Sequence, residues 1–296
     1  MVAGFLGLQL LAPGWMLDPL DWPNLYEVYE TAPGAGREFM DTGFTGSGTM
    51  LFFAFLAAAP VAFLMAAALA RRYHVSAKSF LGLRWPTVRQ ALAWTAALLV
   101  LRYGITALLD RAGIEVGGES LIDGYRASWS LPLLYLGAVV LGPAFEAVLF
   151  RGFLLEGLRR SRLGVLGAVM LTAGLWAICH SYEAAGLAVI FCDGLLLAAA
   201  RLHTRSTYLT IGMHALVNLL VLIQIGSFLS HDGTRYYLER GREHFEGKQY
   251  WEAALDFQAA ERYAKRPCAE CRLGLARAYQ ADGEPRRAEE AMRGHR

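Results

Sequence analysis

Between Met50 and Ser230 the chain returns repeatedly to apolar stretches as long as a lipid bilayer is thick, and this limits its fold more than any other feature. A membrane-crossing helix needs about 20 mostly apolar residues. Met50–Ala70 carries no charge at all. Ala91–Leu109, Leu131–Leu158, Leu163–Ser181, Ala184–Ala200 and Ser206–Leu229 are the other candidates. Backbone groups in hydrocarbon must be satisfied within the protein, so long apolar segments of this kind become helices. The expected fold is all-α, a polytopic transmembrane bundle over residues 49–230. Before it lie an apolar segment and an acidic loop, residues 1–48. Residues 1–17 contain Pro13-Gly14 and lack a basic leader, so they read as an interfacial or re-entrant piece, with a seventh span as the alternative, and not as a signal peptide.

Composition agrees. Apolar residues make up 55% and charged residues 18% of the chain; soluble domains hold about 45–50% and about 25%. Disorder and a small disulfide scaffold are excluded. A net charge of +2 gives no reason to expect nucleic acid. Basic residues mark one side of the bundle: Arg71, Arg72, Lys78, Arg84 and Arg89, then Arg159, Arg160 and Arg162, then Arg201 and Arg205. Acidic segments alternate with them, including Asp18 to Asp41 and Asp110 to Asp123. The basic loops should face the cytoplasm. Six spans then place the C-terminal tail outside. Only 3 of 28 basic residues are lysine, a bias that suggests a bacterium and so its inner membrane.

Beyond Ser230 charge appears every second or third residue, and residues 231–296 read as a small soluble helical region. Tyr250, Ala253, Phe257 and Ala260, then Ala276, Tyr279, Gly283 and Ala288, fall in a tetratricopeptide-like register. The step from Ala253 to Ala288 is within one residue of the roughly 34-residue repeat. A plain helical hairpin accounts for the same residues. Either form suits self-association or a protein partner. Cys268 and Cys271 lack a second pair for zinc, and a local disulfide is feasible if the tail is external.

Polar side chains inside the spans need explanation, since each ionisable one costs roughly 3 kcal/mol on insertion. They are Arg102, Glu146, Arg151, His180, Asp193 and His214, with Asn218 as a neutral amide. Helix–helix glue is the plain account of any one of them. It weakens when a carboxylate, two histidines and an amide lie on three segments. His214 and Asn218 are four apart and share a helix face, as do Trp176 and His180. Glu146 and Arg151 are five apart, about 140° around a regular helix, which leaves Glu146 free of Arg151.

Glu146-Ala147-Val148-Leu149-Phe150-Arg151, Trp176-x-x-x-His180 and His214-x-x-x-Asn218 together resemble the three motifs of the CPBP family. That family contains type II CAAX prenyl endopeptidases and bacteriocin-processing and self-immunity proteins. Its pattern is Glu-Glu-x-x-x-Arg, Phe-x-x-x-His and His-x-x-x-Asn, and the resemblance covers about residues 131–222. It implies an intramembrane endopeptidase, with Glu146 as catalytic carboxylate, His180 orienting the water, and His214 and Asn218 donating to the oxyanion. Arg151, Trp176 and Asp193 would support them. A zinc ion held by Glu146, His180 and His214 is the alternative use of the same residues. The favoured mechanism is glutamate-activated water without a required cofactor, because the metal set leaves no separate general base. The substrate would be a membrane-associated or leader-bearing peptide.

The chain departs from the pattern twice. Trp176 stands for Phe, and Ala147 stands for the second Glu, the natural partner of Arg151. Another acid should then pair with Arg151, with Asp193 first and Glu156 or Glu183 next. The missing Glu also favours a rival of a different class, a catalytically silent membrane scaffold or immunity protein that binds partners through core and tail. A proton or solute carrier has no repeated half behind it.

Overall fold

The computed structural model describes residues 50–72, 74, 76–114, 116, 119–128, 130–180 and 182–293. The expectations for residues 1–48 lie outside these. Every regular element among the described residues is helical. In chain order they are α1 (Met50–Arg72), α2 (Ala77–Phe80), α3 (Val88–Arg111), α4 (Glu119–Arg126), α5 (Leu131–Leu158), α6 (Gly164–Ile178), α7 (Ala184–Thr204), α8 (Thr207–Glu246), α9 (Tyr250–Tyr263), α10 (Ala269–Ala281) and α11 (Pro285–Arg293). They form two compact units, divided between Leu220 and Val221 inside α8.

In the first unit α3, α5, α7 and α8 are long and apolar enough to cross a membrane. Their outward faces are apolar: Val88 is 76% and Val100 74% exposed on α3. Such a face suits lipid and would be a liability in water. The chain is an integral membrane protein. Helix α1 spans Met50–Arg72, close to its expected extent. Helix α6 is shorter than expected at 15 residues, about 22 Å at 1.5 Å per residue. Within the unit α6 packs on α7, α7 on α3, and α1 on the first half of α5.

Helix α5 is not a regular α-helix. It contains two π-helical segments, Leu136–Leu141 and Ala147–Leu154, around a short α segment, Gly142–Glu146. Pro143 gives a reason for the first. It lacks an N–H, and its ring crowds the carbonyl four residues back, so the preceding turn widens.

The basic ends of α5, α7 and α8 are tied to the segment after α2. Thr207 donates from its backbone N–H to Gly82 O at 2.8 Å, and from Oγ1 to Leu81 O at 2.5 Å. Buried Arg201 donates from Nε to Thr207 Oγ1 at 3.0 Å. Gly82 has φ +64°, and a Cβ there would lie 2.4 Å from Arg201 Nη2. No other residue meets both conditions, left-handed backbone and contact with a buried guanidinium.

The second unit comprises the part of α8 after Leu220 together with α9, α10 and α11. Helix α8 does not break at residue 230; it continues to Glu246. Trp251, Phe257, Leu275 and Tyr279 form the core between α9 and α10. Buried Asp256 on α9 accepts from Arg240 Nε and Nη2 at 2.9 and 2.6 Å and lies 2.9 Å from His244 Nδ1. His244 is thus an internal contact of this unit. Cys268 and Cys271 form a disulfide at the start of α10.

Candidate active site

Trp176, near the end of α6, gathers the three motifs. Its indole Nε1–H donates to Glu146 Oε2 on α5. Its ring lies 4.0 Å from Arg151 Cζ, 5.1 Å from the His180 ring and 5.3 Å from the His214 ring, the two histidines edge-on. Helix α7 approaches here because Gly194 has no side chain; a Cβ would sit 3.1 Å from Trp176 Cε3.

The separation of Glu146 and Arg151 expected from regular helix geometry does not hold. A π-helix closes its turns i→i+5, so residues five apart come round to the same side. The second π segment begins one residue after Glu146 and contains Arg151. Both side chains therefore reach the same indole, and the Glu146 carboxylate attracts the guanidinium electrostatically.

His180 lies just past the end of α6, with Nδ1 2.8 Å from Trp176 O. A carbonyl can only accept, so Nδ1 carries the hydrogen and Nε2 keeps its lone pair in the neutral ring. Tyr182, in the turn before α7, stacks on His180 at 5.8 Å between centroids. Burial pushes its phenol up to about 12, so it remains a protonated donor at neutral pH. Tyr182 belongs to none of the three motifs, and no spacing in the sequence singles it out.

His214 is only 6% exposed, and its Nδ1 is buried without a hydrogen-bond partner among the described residues. Asn218 sits on the same face of α8. Its Nδ2 donates to Ala138 O at 2.7 Å, in the first π segment. One amide hydrogen thus ties α8 to α5, and one is left for an oxyanion.

Asp193 is not the hydrogen-bonded partner of Arg151 that the sequence led us to expect. It forms an ion pair with Arg102 of α3. Its charge still acts on Arg151 through space. Glu156 is taken by Arg159 at 2.7 Å and by Arg160, with Arg201 at 4.0 Å. Glu183 is exposed at the N-cap of α7. Arg151 itself is 3% exposed, and neither Nη1 nor Nη2 has a hydrogen-bond partner among the described residues. Its compensation is the Trp176 face and the field of two carboxylates. Arg102 was visible in the sequence as a charge inside a span, but nothing local joins it to Asp193, 91 residues away.

Among the described residues no three His, Cys, Asp or Glu side chains gather as a metal-holding group. Glu146 Oε2 faces the indole N–H and His180 Nδ1 faces a carbonyl. These hydrogen bonds leave His180 Nε2 open, as they also do in a metal-ligating histidine.

Residues 128–220 match the family model "Type II CAAX prenyl endopeptidase Rce1-like", a family of membrane proteases. The match covers just under a third of the chain and includes all three motifs. It supports a CAAX-type intramembrane protease at the level of the family. No curated protein matches the chain, and no solved structure does.

Proposed function

We propose that the membrane unit hydrolyses a peptide bond with water activated by Glu146. The observation that carries this reading is the convergence of Glu146, His180 and His214 on one indole from three separate helical segments. Glu146 takes a proton from water, and His180 Nε2 holds that water by accepting its second hydrogen. His214 and the remaining Asn218 N–H donate to the carbonyl oxygen as it gains charge. Loss of one such donor typically costs about 3 kcal/mol of transition-state stabilisation. A preorganised carboxylate base contributes about 10²–10⁴ in rate.

The proposed substrate is a membrane-associated or leader-bearing peptide. The proposed setting is a bacterial inner membrane, with the basic loops inside and the tail outside; the Cys268–Cys271 disulfide suits an oxidising compartment. The tail, a tetratricopeptide-like or plain helical hairpin, binds a protein partner or a second copy. The rival reading, a silent scaffold or immunity protein, is favoured by one observation: Ala147 supplies only a methyl group where the motif has its second carboxylate.

Purified full chain in nanodiscs, offered peptide libraries beside Glu146→Ala and His214→Ala, tests the two. Cleavage by the wild type and loss in both variants is expected. Equal cleavage by all three, or none by any, favours the scaffold. Activity lost in chelator and restored by zinc would replace the metal-free mechanism.

A further inference from the structure

We infer that Arg151 is an anion site, built to receive the carboxylate-type oxygen that peptide hydrolysis creates beside Glu146. The role in turnover rests on the hydrolase reading above; the binding site stands on geometry alone. Arg151 offers two terminal nitrogens that are buried and bonded to no acceptor among the described residues. The guanidinium carbon lies 4.0 Å over the Trp176 ring, whose N–H holds Glu146. General base and free guanidinium are thus separated by one side chain. Ala147, fully buried, contributes a methyl group where a glutamate would fill those donors. Asp193 pairs with Arg102 through Oδ2, and its buried Oδ1 makes no hydrogen bond to Arg151.

Charge accounting favours the same role. Asp193 is ion-paired with Arg102 but still acts on Arg151 through space, and in the resting site the Glu146 carboxylate acts on Arg151 more strongly than Asp193 does. During attack a water O–H bond breaks and its proton moves to Glu146. The water oxygen bonds to the carbonyl carbon, and the C=O π pair moves onto the carbonyl oxygen. Negative charge has then left Glu146 and appeared on that oxygen, with Arg151 beside both. Collapse restores the C=O bond and breaks the C–N bond, and Glu146 returns its proton to the departing nitrogen. The remaining acidic proton ends on the amine, leaving a new carboxylate and an ammonium. Arg151 is a cation that can follow the charge from base to oxyanion to product without moving.

The probes are N-acetyl-leucine, which carries a carboxylate, and N-acetyl-leucinamide, which does not. Both are titrated into the full chain in nanodiscs with tryptophan fluorescence as the readout. Hydrogen bonds to a charged group of this kind predict a preference of about tenfold or more for the carboxylate. Arg151→Gln should erase it. Ala147→Glu should erase it too, by supplying a carboxylate within the chain, and this variant keeps the test open if Arg151→Gln does not fold. Glu146→Gln should tighten carboxylate binding, because it removes the competing negative charge. A purely structural Arg151, bridged by water to Asp193, would show no such pattern. Equal binding of both probes by the wild type, or a preference surviving in Arg151→Gln, overturns the inference. Carboxylate preference without cleavage of any peptide supports the anion site and counts against the hydrolase reading instead.

Discussion

Trp176 meets its neighbours in three ways: the N–H on Glu146, a face under Arg151, and near-perpendicular ring contacts with His180 and His214. Phenylalanine, the residue of the motif this chain resembles, would keep the faces and edges and lose only the N–H. Trp176→Phe should therefore fold and stay active, with thermal unfolding showing a loss of about 1.5–3 kcal/mol, the range for a hydrogen bond to a charged group. Complete inactivation would mean the indole N–H has a chemical role. Asp193 is a different case. Asp193→Asn leaves Arg102 without its counter-ion, and breaking a buried pair on one side costs about 3–5 kcal/mol. Arg102 is partly exposed, which favours the lower end of that range. Unchanged stability in detergent titrations would show that the pair is not needed for the fold. At this scale the sequence displayed which residues matter, because charge inside a span stands out. It did not display who pairs with whom, since Arg102–Asp193 is a long-range contact with no spacing rule behind it.

Among the elements, the spans were legible and the π segments were not. A bilayer imposes length and apolarity, both of which can be read residue by residue. A shift from i→i+4 to i→i+5 bonding changes only the backbone ladder and leaves no compositional mark. The misplacement of Glu146 relative to Arg151 in the sequence reading follows from that alone. The first π segment also carries Ala138, whose carbonyl receives Asn218. Deleting Val140 should return this segment to regular helix and turn Glu146 by about 100° relative to Ala138. Helicity by circular dichroism should persist while peptide cleavage is lost. Retained cleavage would show that the widened turn is not what aims Glu146. Helix α8 was likewise read too short, since the rise in charge after Ser230 marks a change of solvent and not a helix end.

For the whole molecule, the proposed arrangement across the membrane rests on the basic loops facing the cytoplasm. Under that proposal Cys268 and Cys271 lie outside, where their disulfide can persist. Maleimide mass-tagging of intact cells should find this pair oxidised, and reactive only after an external, membrane-impermeant reductant. A reduced pair, or one reached only by permeant reagents, would turn the tail inward and remove one span from the count. The loop the bridge closes is very short, so its loss should cost the tail no more than about 2 kcal/mol. The helical nature of this region was evident from its pattern, whereas the clustering of Arg240, His244 and Asp256 depends on how α9 lies against α8.

The most direct measurement is the turnover number of Glu146→Gln on a peptide the wild type cleaves, in metal-free buffer. Glutamine keeps the shape and an acceptor for the Trp176 N–H but cannot take a proton. The rate should fall by about 10²-fold or more with KM nearly unchanged. A turnover number close to that of the wild type would contradict the assignment of Glu146 as the base.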